Sequence, residues 1–466
     1  MLWLCAALAT AAPLDKVLDD ILDDPAYAGA TATALVVDLD SGAVLYEREA
    51  DRRVLPASVV KWVTAVAAAE RLGLDHTFET SILATGPVKG GVLSGDLVIR
   101  GDGDPSLGGD DPEGLVRAWA KELSGAGVTQ VAGELVVDPT IIGDPPLGAG
   151  WAWDDTPYGF SAPLAGLNLG HNMMEWSARA AADGARVEVG PGLWAPCVED
   201  LAIAARTGAG ERVRVQADPF GPPAVIGGLK EGAQQRVRLP IPRPPLCFAR
   251  VFRAVLSEEG VEVAGGVRVG ATAEGARVLA VHRSPPLREL LQIMLEQSQN
   301  LYAEAIARAL DPSEVRTWRG ASEQLTAVLG AAGAPEDSFR LRDGSGLSRY
   351  DLITARALVQ LTAYASRQPG YEALSEALPV AGRTGTLSRR LTGTAAEGRV
   401  RGKTGSMTGV RNIVGTVEDA SGRTLAFALL VDGFVTAQSA AIAVQDEALV
   451  ALAVSRGGKV RRRDLR

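Results

Sequence analysis

Histidine, lysine and cysteine are scarce in this chain, and each scarcity narrows what it can do. His76, His171 and His282 are the only histidines in 466 residues, and they are scattered. They offer no metal-ligand cluster, and a Ser-His-Asp triad has no signature here. Cysteine occurs three times, at Cys5, Cys197 and Cys247. No uninterrupted apolar run reaches the ~18–20 residues that span a bilayer. A basic face is also missing: the net charge is −9. That argues against nucleic-acid binding. The exception is the cationic tail RGGKVRRRDLR, residues 456–466, read first as a solvated, frayed terminus and second as a weak hold on an anionic membrane surface.

What is present is a large globular chain, 47% apolar and 22% charged, long enough for two to four domains. Residues 1–12, MLWLCAALATAA, read as a short secretory signal, although no Lys or Arg precedes the apolar run. Its removal leaves Cys197 and Cys247, which an exported protein could join in one disulfide. The stretch 30–48 gives two strand-like runs about an Asp40-Ser41-Gly42 turn, followed by a helix over about 58–72. From 77 to about 280 the texture becomes short Val-rich runs broken by Gly, Pro and Asp, which reads as inserted β-rich modules. Helical texture returns at 286–310, late strands follow, and a long apolar helix closes the chain. If that helix packs with the first hairpin and the late strands, the two ends form one domain.

Lysine is the informative scarcity. It occurs at 16, 61, 89, 121, 230, 403 and 459, and only Lys61 has a serine three places before it. On a helix, Ser58 and Lys61 share a face. A lysine kept neutral by burial or by a neighbouring cation can take the proton of a nucleophilic serine. Ser298-Gln299-Asn300, between two helical segments, places a hydroxyl and an amide on a short loop; an N-capping serine is its structural alternative. GKTGS, residues 402–406, brings a cation, a hydroxyl and a flexible glycine to a strand where a peptide carboxylate could lie. Each motif is weak alone.

In this order, SxxK, SxN and KTG form the set of penicillin-binding proteins and serine β-lactamases. The chain resembles the low-molecular-mass class C penicillin-binding proteins, the D-alanyl-D-alanine carboxypeptidase/endopeptidase family (peptidase family S13). GDGDPSL (101–107), WAWDDTPYGFSAPLAGLNLGHN (151–172), RDGSGLSRYDLIT (342–354), RTGTLSRRLTG (383–393) and VRGKTGSMTGVRNIVG (400–415) carry the likeness over nearly the whole mature chain. The resemblance implies an α/β (α+β) transpeptidase-like domain of the penicillin-binding-protein/serine β-lactamase type. Residues 13–76 and 283–466 would form it, with two nested β-rich inserted domains at 77–282, the second at about 173–243.

By the same likeness, Ser58 is the nucleophile, Lys61 the base, Ser298 the proton relay, Asn300 a holder of the acyl amide, and Lys403 the electrostatic partner. Thr404 would meet the terminal carboxylate, Gly405 lets the substrate backbone approach, and Ser406 shares the oxyanion hole with Ser58 through their N–H groups. Asp155 and Phe160 would receive the stem's diamino-acid side chain. Asp343 and Arg349 read as turn and support, and the Asp-rich 101–111 as a tight turn. No metal or organic cofactor is implied. The expected partners are peptidoglycan stem peptides and β-lactams as covalent inhibitors, in the periplasm. A serine β-lactamase or esterase and a non-catalytic peptidoglycan-binding protein are the competing functions.

Overall fold

In the computed structural model the described residues are 11–181, 184–189, 192–200, 212–216, 224–230 and 233–465. Cys5 and most of the expected signal segment lie outside them. The chain divides into two compact units, one of Met1–Leu74, Leu287–Gln299 and Ser322–Arg466, the other of Asp75–Pro286 with Asn300–Ala321. Residues 300–321, read from sequence as part of the outer domain, thus group with the inserted segment.

The first unit is built on a five-stranded antiparallel sheet. Its order is Val400–Met407, Val410–Glu418, Thr424–Asp432, Thr31–Asp38, Val44–Arg48, so the two ends of the chain share one sheet. Alternation along the Thr424–Asp432 strand explains how it is covered on both faces. Phe427, Leu429 and Val431 join one core with the Leu14–Leu22 and Gln438–Val454 helices. The intervening Ala426, Ala428 and Leu430 are equally buried, and the Ala355–Ala365 helix also packs on this strand. Leu14–Leu22 buries Leu14, Val17, Leu18, Ile21 and Leu22, the spacing of a single helical stripe. The tail is folded through residue 465: Lys459–Val460 pairs antiparallel with Ala12–Pro13. That replaces the frayed terminus expected from its charge.

The second unit carries more helix than its Val-rich texture suggests. Its five-stranded sheet runs Val267–Val269, Leu135–Asp138, Leu97–Arg100, Glu79–Ala84, Arg277–Arg283, with the first three strands mutually parallel. Parallel neighbours need long crossovers. The Pro112–Gly125 helix lies in one crossover and Pro244–Glu258 in the other. Val116, Trp119, Ala120 and Leu123 of the first meet Phe248, Val251, Phe252 and Val255 of the second in one core. This unit also holds a small four-stranded sheet of Glu262–Val263, Gln130–Val131, Val92–Leu93 and Val88–Lys89, a three-stranded sheet of Gly184–Val189, Met173–Ala181 and Gln234–Pro240, and a Val213–Gln216/Ala224–Gly227 pair.

Cys197 and Cys247 are bonded, closing a sequence separation of 50 residues. Loop-closure entropy of that length is worth about 4 kcal/mol. Cys197→Ala/Cys247→Ala is therefore expected to unfold this unit at clearly lower urea concentration, with cleavage inside 197–247 in limited proteolysis. An unchanged urea midpoint would refute the estimate.

Candidate active site

Ser58 lies in a 3-10 turn, Ala57–Val59, which runs straight into the Val60–Arg71 helix. The Ser58–Lys61 pair thus spans the junction of turn and helix, three residues apart on one face. Lys61 Nζ lies 2.9 Å from Ser58 Oγ and donates to the Ser345 carbonyl at 2.7 Å. The Lys61 side chain is fully buried. A buried amine costs much less neutral than charged, so this burial favours a proton acceptor.

The backbone that presents Ser58 is held from two sides. Asn412, fully buried, donates from Nδ2 to the Leu55 and Pro56 carbonyls at 2.8 and 2.7 Å, while its Oδ1 accepts from Val431 N at 2.9 Å. The 343–348 loop presses on the other side. Asp343 shapes that loop: Oδ1 accepts from the Ser345 and Gly346 N–H groups at 3.1 and 2.6 Å, and Oδ2 from Ser348 N at 2.6 Å. This is the supporting turn expected of Asp343. Between these clamps Ala57 sits at φ 50°, a left-handed conformation rare without glycine.

Gly346 shows how close the contact is. Its φ is +78°, and an added Cβ would come within 1.9 Å of the Ala57 carbonyl oxygen and 3.1 Å of Ser58 N. Both are backbone atoms, so neither can swing aside. Gly346→Ala is expected to displace the Ser58 segment and slow its acylation on the order of 100-fold. Stopped-flow acylation by a chromogenic β-lactam would check this, and a rate within threefold of wild type would refute the contact's importance.

Ser298 and Lys403 form the second pair. Ser298 occupies the break between the Leu287–Glu296 and Asn300–Ala309 helices at φ 57°. Lys403 Nζ donates to Ser298 Oγ at 2.9 Å and to the Thr404 carbonyl at 2.8 Å. Lys403 is fully buried. Burial first, and the charge of Lys61 second, hold its pKa well below the usual lysine value. Two buried ammonium groups oppose each other's charging, so the pair favours carrying one proton rather than two.

The Val400–Met407 strand supplies the rest. Thr404 Oγ1 donates to Thr386 Oγ1 at 2.8 Å, and Arg411 Nη1, opposite in the strand register, donates to Ser406 Oγ at 2.8 Å. A Cβ on Gly405 would lie 2.7 Å from Pro56 O and 3.1 Å from Ser58 N, so glycine lets this strand lie against the nucleophile's backbone. Of the residues singled out from sequence, Ser58, Lys61, Ser298, Lys403, Thr404, Gly405 and Ser406 belong to the first unit.

Asn300, Asp155 and Phe160 belong to the second. Asn300 opens the Asn300–Ala309 helix and donates from Nδ2 to the Phe160 carbonyl at 2.7 Å. Asp155 ends the Trp153–Asp155 turn, and the exposed Phe160 ring stacks on Tyr158 at 5.4 Å between centroids. The Asp-rich segment is a turn, with Asp104 Oδ1 accepting from Ser106 N and Oγ. Sequence reasoning missed the Ser345 carbonyl, Gly346, Thr386, Arg411 and Asn412. All fall in or beside the quoted motif blocks, yet only folding shows which of their atoms face the serine.

This arrangement, a serine against a buried lysine with a second buried lysine on another serine, is suited to acyl transfer. Comparison with known proteins agrees. The D-Ala-D-Ala carboxypeptidase 3 (S13) family matches residues 14–454. The D-alanyl-D-alanine carboxypeptidase of Actinomadura sp. (strain R39) is 35% identical over 94% of this chain and 84% of its own. D-alanyl-D-alanine carboxypeptidase DacB of Haemophilus influenzae is 27% identical over 88% of this chain and 86% of its own. The crystal structure of penicillin binding protein 4 (dacB) from H. influenzae superimposes with a TM-score of 0.82 at 25% identity, covering 92% of this chain and 97% of that one. With a penicillin-binding-protein/serine β-lactamase-like fold and a family match over nearly its whole length, the chain belongs to the D-Ala-D-Ala carboxypeptidase 3 (S13) family.

Proposed function

We propose that the protein hydrolyses the D-alanyl-D-alanine ends of peptidoglycan stem peptides, and their D-alanyl cross-links, through an acyl-enzyme on Ser58. The observation that carries this reading is the buried Lys61 amine 2.9 Å from Ser58 Oγ. As Oγ attacks the carbonyl of the penultimate D-alanine, Lys61 takes its proton. The N–H groups of Ser58 and Ser406 receive the oxyanion, a preorganised pair. Ser298 then passes a proton to the leaving amine, with Lys403 setting its electrostatics, and Asn300 holds the acyl amide.

Thr404 contacts the terminal carboxylate. The cation of Arg411 beside Ser406 supports a negative ligand at this strand. Gly405 leaves room for the substrate backbone. Asp155 pairs with the free amine of the stem's diamino acid, and Phe160 packs beside it. Water finally releases the acyl group, without metal or organic cofactor.

β-Lactams enter as substrates whose leaving group stays tethered, which makes them covalent inhibitors. The substrate places the protein outside the cytoplasmic membrane, in the periplasm. There Arg456, Lys459 and Arg461, all exposed, suit a weak electrostatic hold on an anionic membrane surface.

The test is D-alanine release from a peptide ending in D-Ala-D-Ala, beside intact mass with benzylpenicillin over time. Release of D-alanine, with a lasting adduct that maps to the peptide containing Ser58, is the expected result. An adduct that clears quickly while the drug is consumed would move the assignment to a β-lactamase. No release and no adduct on folded protein would leave only peptidoglycan binding.

A further inference from the structure

The first turn of the Asn300–Ala309 helix is gripped at three points by one loop, residues 160–172. The Phe160 carbonyl accepts from Asn300 Nδ2 at 2.7 Å. Leu164 packs with Leu301 and Ala305 in a separate small core. Tyr302 Oη meets His171 Nε2 at 3.3 Å. With Nδ2 committed to a carbonyl, the Asn300 amide has a fixed orientation and cannot exchange its nitrogen and oxygen edges.

The loop is itself strained and tied. Gly170, His171 and Asn172 are consecutive left-handed residues at φ 56°, 60° and 52°. Two of the three are not glycine, and such conformations persist only where the surroundings impose them. The fully buried Asn168 is one of the groups that tie this loop. Its Oδ1 accepts from Ala165 N at 2.9 Å and from Asn172 Nδ2 at 2.7 Å, and its Nδ2 donates to the Gly103 and Asp104 carbonyls, each at 3.3 Å. One amide thus joins Ala165 and Asn172 of the gripping segment to the 103–104 turn.

We infer that Asn168 is a positioning residue for the reaction: by holding the 160–172 loop in shape, it fixes the amide of Asn300. The inference rests on the role given to Asn300 above. It assigns the inserted unit a second task besides meeting the stem side chain, that of orienting a reacting-site residue of the SxN motif. Asn168→Ala takes the side-chain partner from Ala165 N and from the Gly103 and Asp104 carbonyls, leaves Asn172 Nδ2 with the Pro163 carbonyl alone, and lets the loop relax. Because a shift of about 1 Å costs roughly 100-fold in rate, the maximal acylation constant is expected to fall by roughly 30–100-fold, with little change in the affinity of the non-covalent complex.

The experiment is a double-mutant cycle on the full chain, with stopped-flow acylation by benzylpenicillin as readout and melting temperature beside it. Asn168→Ala is crossed with Asn300→Ala. Tyr302→Phe, which removes one hydroxyl and keeps the ring, is crossed in the same way and serves if Asn168→Ala does not fold. A roughly threefold loss is expected for Tyr302→Phe alone. The inference requires both losses to vanish in the Asn300→Ala background, because neither variant then has an amide left to misplace. Losses that multiply, or single variants as fast as wild type while Asn300→Ala is slow, overturn the positioning role and leave Asn300's role intact. An Asn300→Ala enzyme as fast as wild type overturns both.

Discussion

Ser58→Ala is expected to reduce D-alanine release on the order of 10⁵-fold or more and to abolish the penicillin adduct, with little change in melting temperature. The size follows from removing a nucleophile whose partners act as a unit. On the proposed mechanism, what remains, oxyanion donors and substrate binding, still favours the tetrahedral state but has no attacking atom. The serine of the second pair cannot substitute. Ser298 Oγ accepts from Lys403, and the serine sits at the left-handed break between two helices. Stability is spared because Ser58 is only half-buried and its backbone is fixed by Asn412 and the 343–348 loop rather than by its own hydroxyl. Intact mass after exposure to benzylpenicillin, followed by peptide mapping, reads the adduct directly. An adduct surviving at another serine of the folded variant would relocate the nucleophile.

How much of this was legible beforehand depends on the range of the interaction. Ser58 and Lys61 are three residues apart, so local helical geometry suffices to join them. Ser298 and Lys403 are 105 residues apart, and only the likeness to a known family joined them before the structure did. Nothing in the sequence marks Lys403 as buried, since a lysine between Gly402 and Thr404 carries no sign of burial. It is buried because its strand pairs with Val410–Glu418 and its own ammonium turns back to Ser298 and the Thr404 carbonyl. The Ser345 carbonyl escaped notice for a different reason. A backbone acceptor has no side-chain signature, and it lies 284 residues from the lysine it binds.

The strained positions were equally invisible. Ala57 and Ser298 adopt left-handed conformations that only their tertiary surroundings impose. In the inserted region, Val-rich runs drew attention to strands, while the stripe of Val116, Trp119, Ala120 and Leu123 marks a helix just as clearly. The parallel strand pairs there require such a helix, but parallel pairing is itself a long-range fact.

Lys61→Met is expected to slow acylation on the order of 10³-fold, within the range of lost general-base catalysis, and to change the shape of the pH profile. Methionine keeps most of the length of this buried side chain and removes the amine. In the wild type, Lys61 and Lys403 are both fully buried, and the charge of Lys61 adds to burial in lowering the Lys403 pKa, so the proposed mechanism predicts that the two share their protons as a pair. On the proposed mechanism the productive form holds one proton, on Lys403, leaving Lys61 able to accept another from Ser58. As pH falls, a second proton enters the pair and the base is lost; as pH rises, the last proton leaves and Lys403 loses its charge. The profile is therefore a bell, and its alkaline limb falls below the ordinary lysine value of about 10.4, because burial and the Lys61 charge lower the Lys403 pKa.

Removing Lys61 removes the repulsion, so the Lys403 pKa rises, the alkaline limb moves to higher pH, and the acid limb due to Lys61 disappears. Stability gives an independent sign. A lysine whose folded pKa lies below its unfolded one destabilises most when pH is below the folded pKa, and the cost shrinks as pH climbs toward the unfolded value. Lys61→Met lightens that cost for Lys403 near neutrality, while the Ser345 carbonyl loses a donor worth about 1 kcal/mol. The two effects oppose, so the melting temperature should move by only a few degrees while the rate collapses. Stopped-flow acylation from pH 5 to 11 separates these outcomes: a variant within tenfold of wild type, with the acid limb still in place, would mean that a group other than Lys61 takes the proton of Ser58.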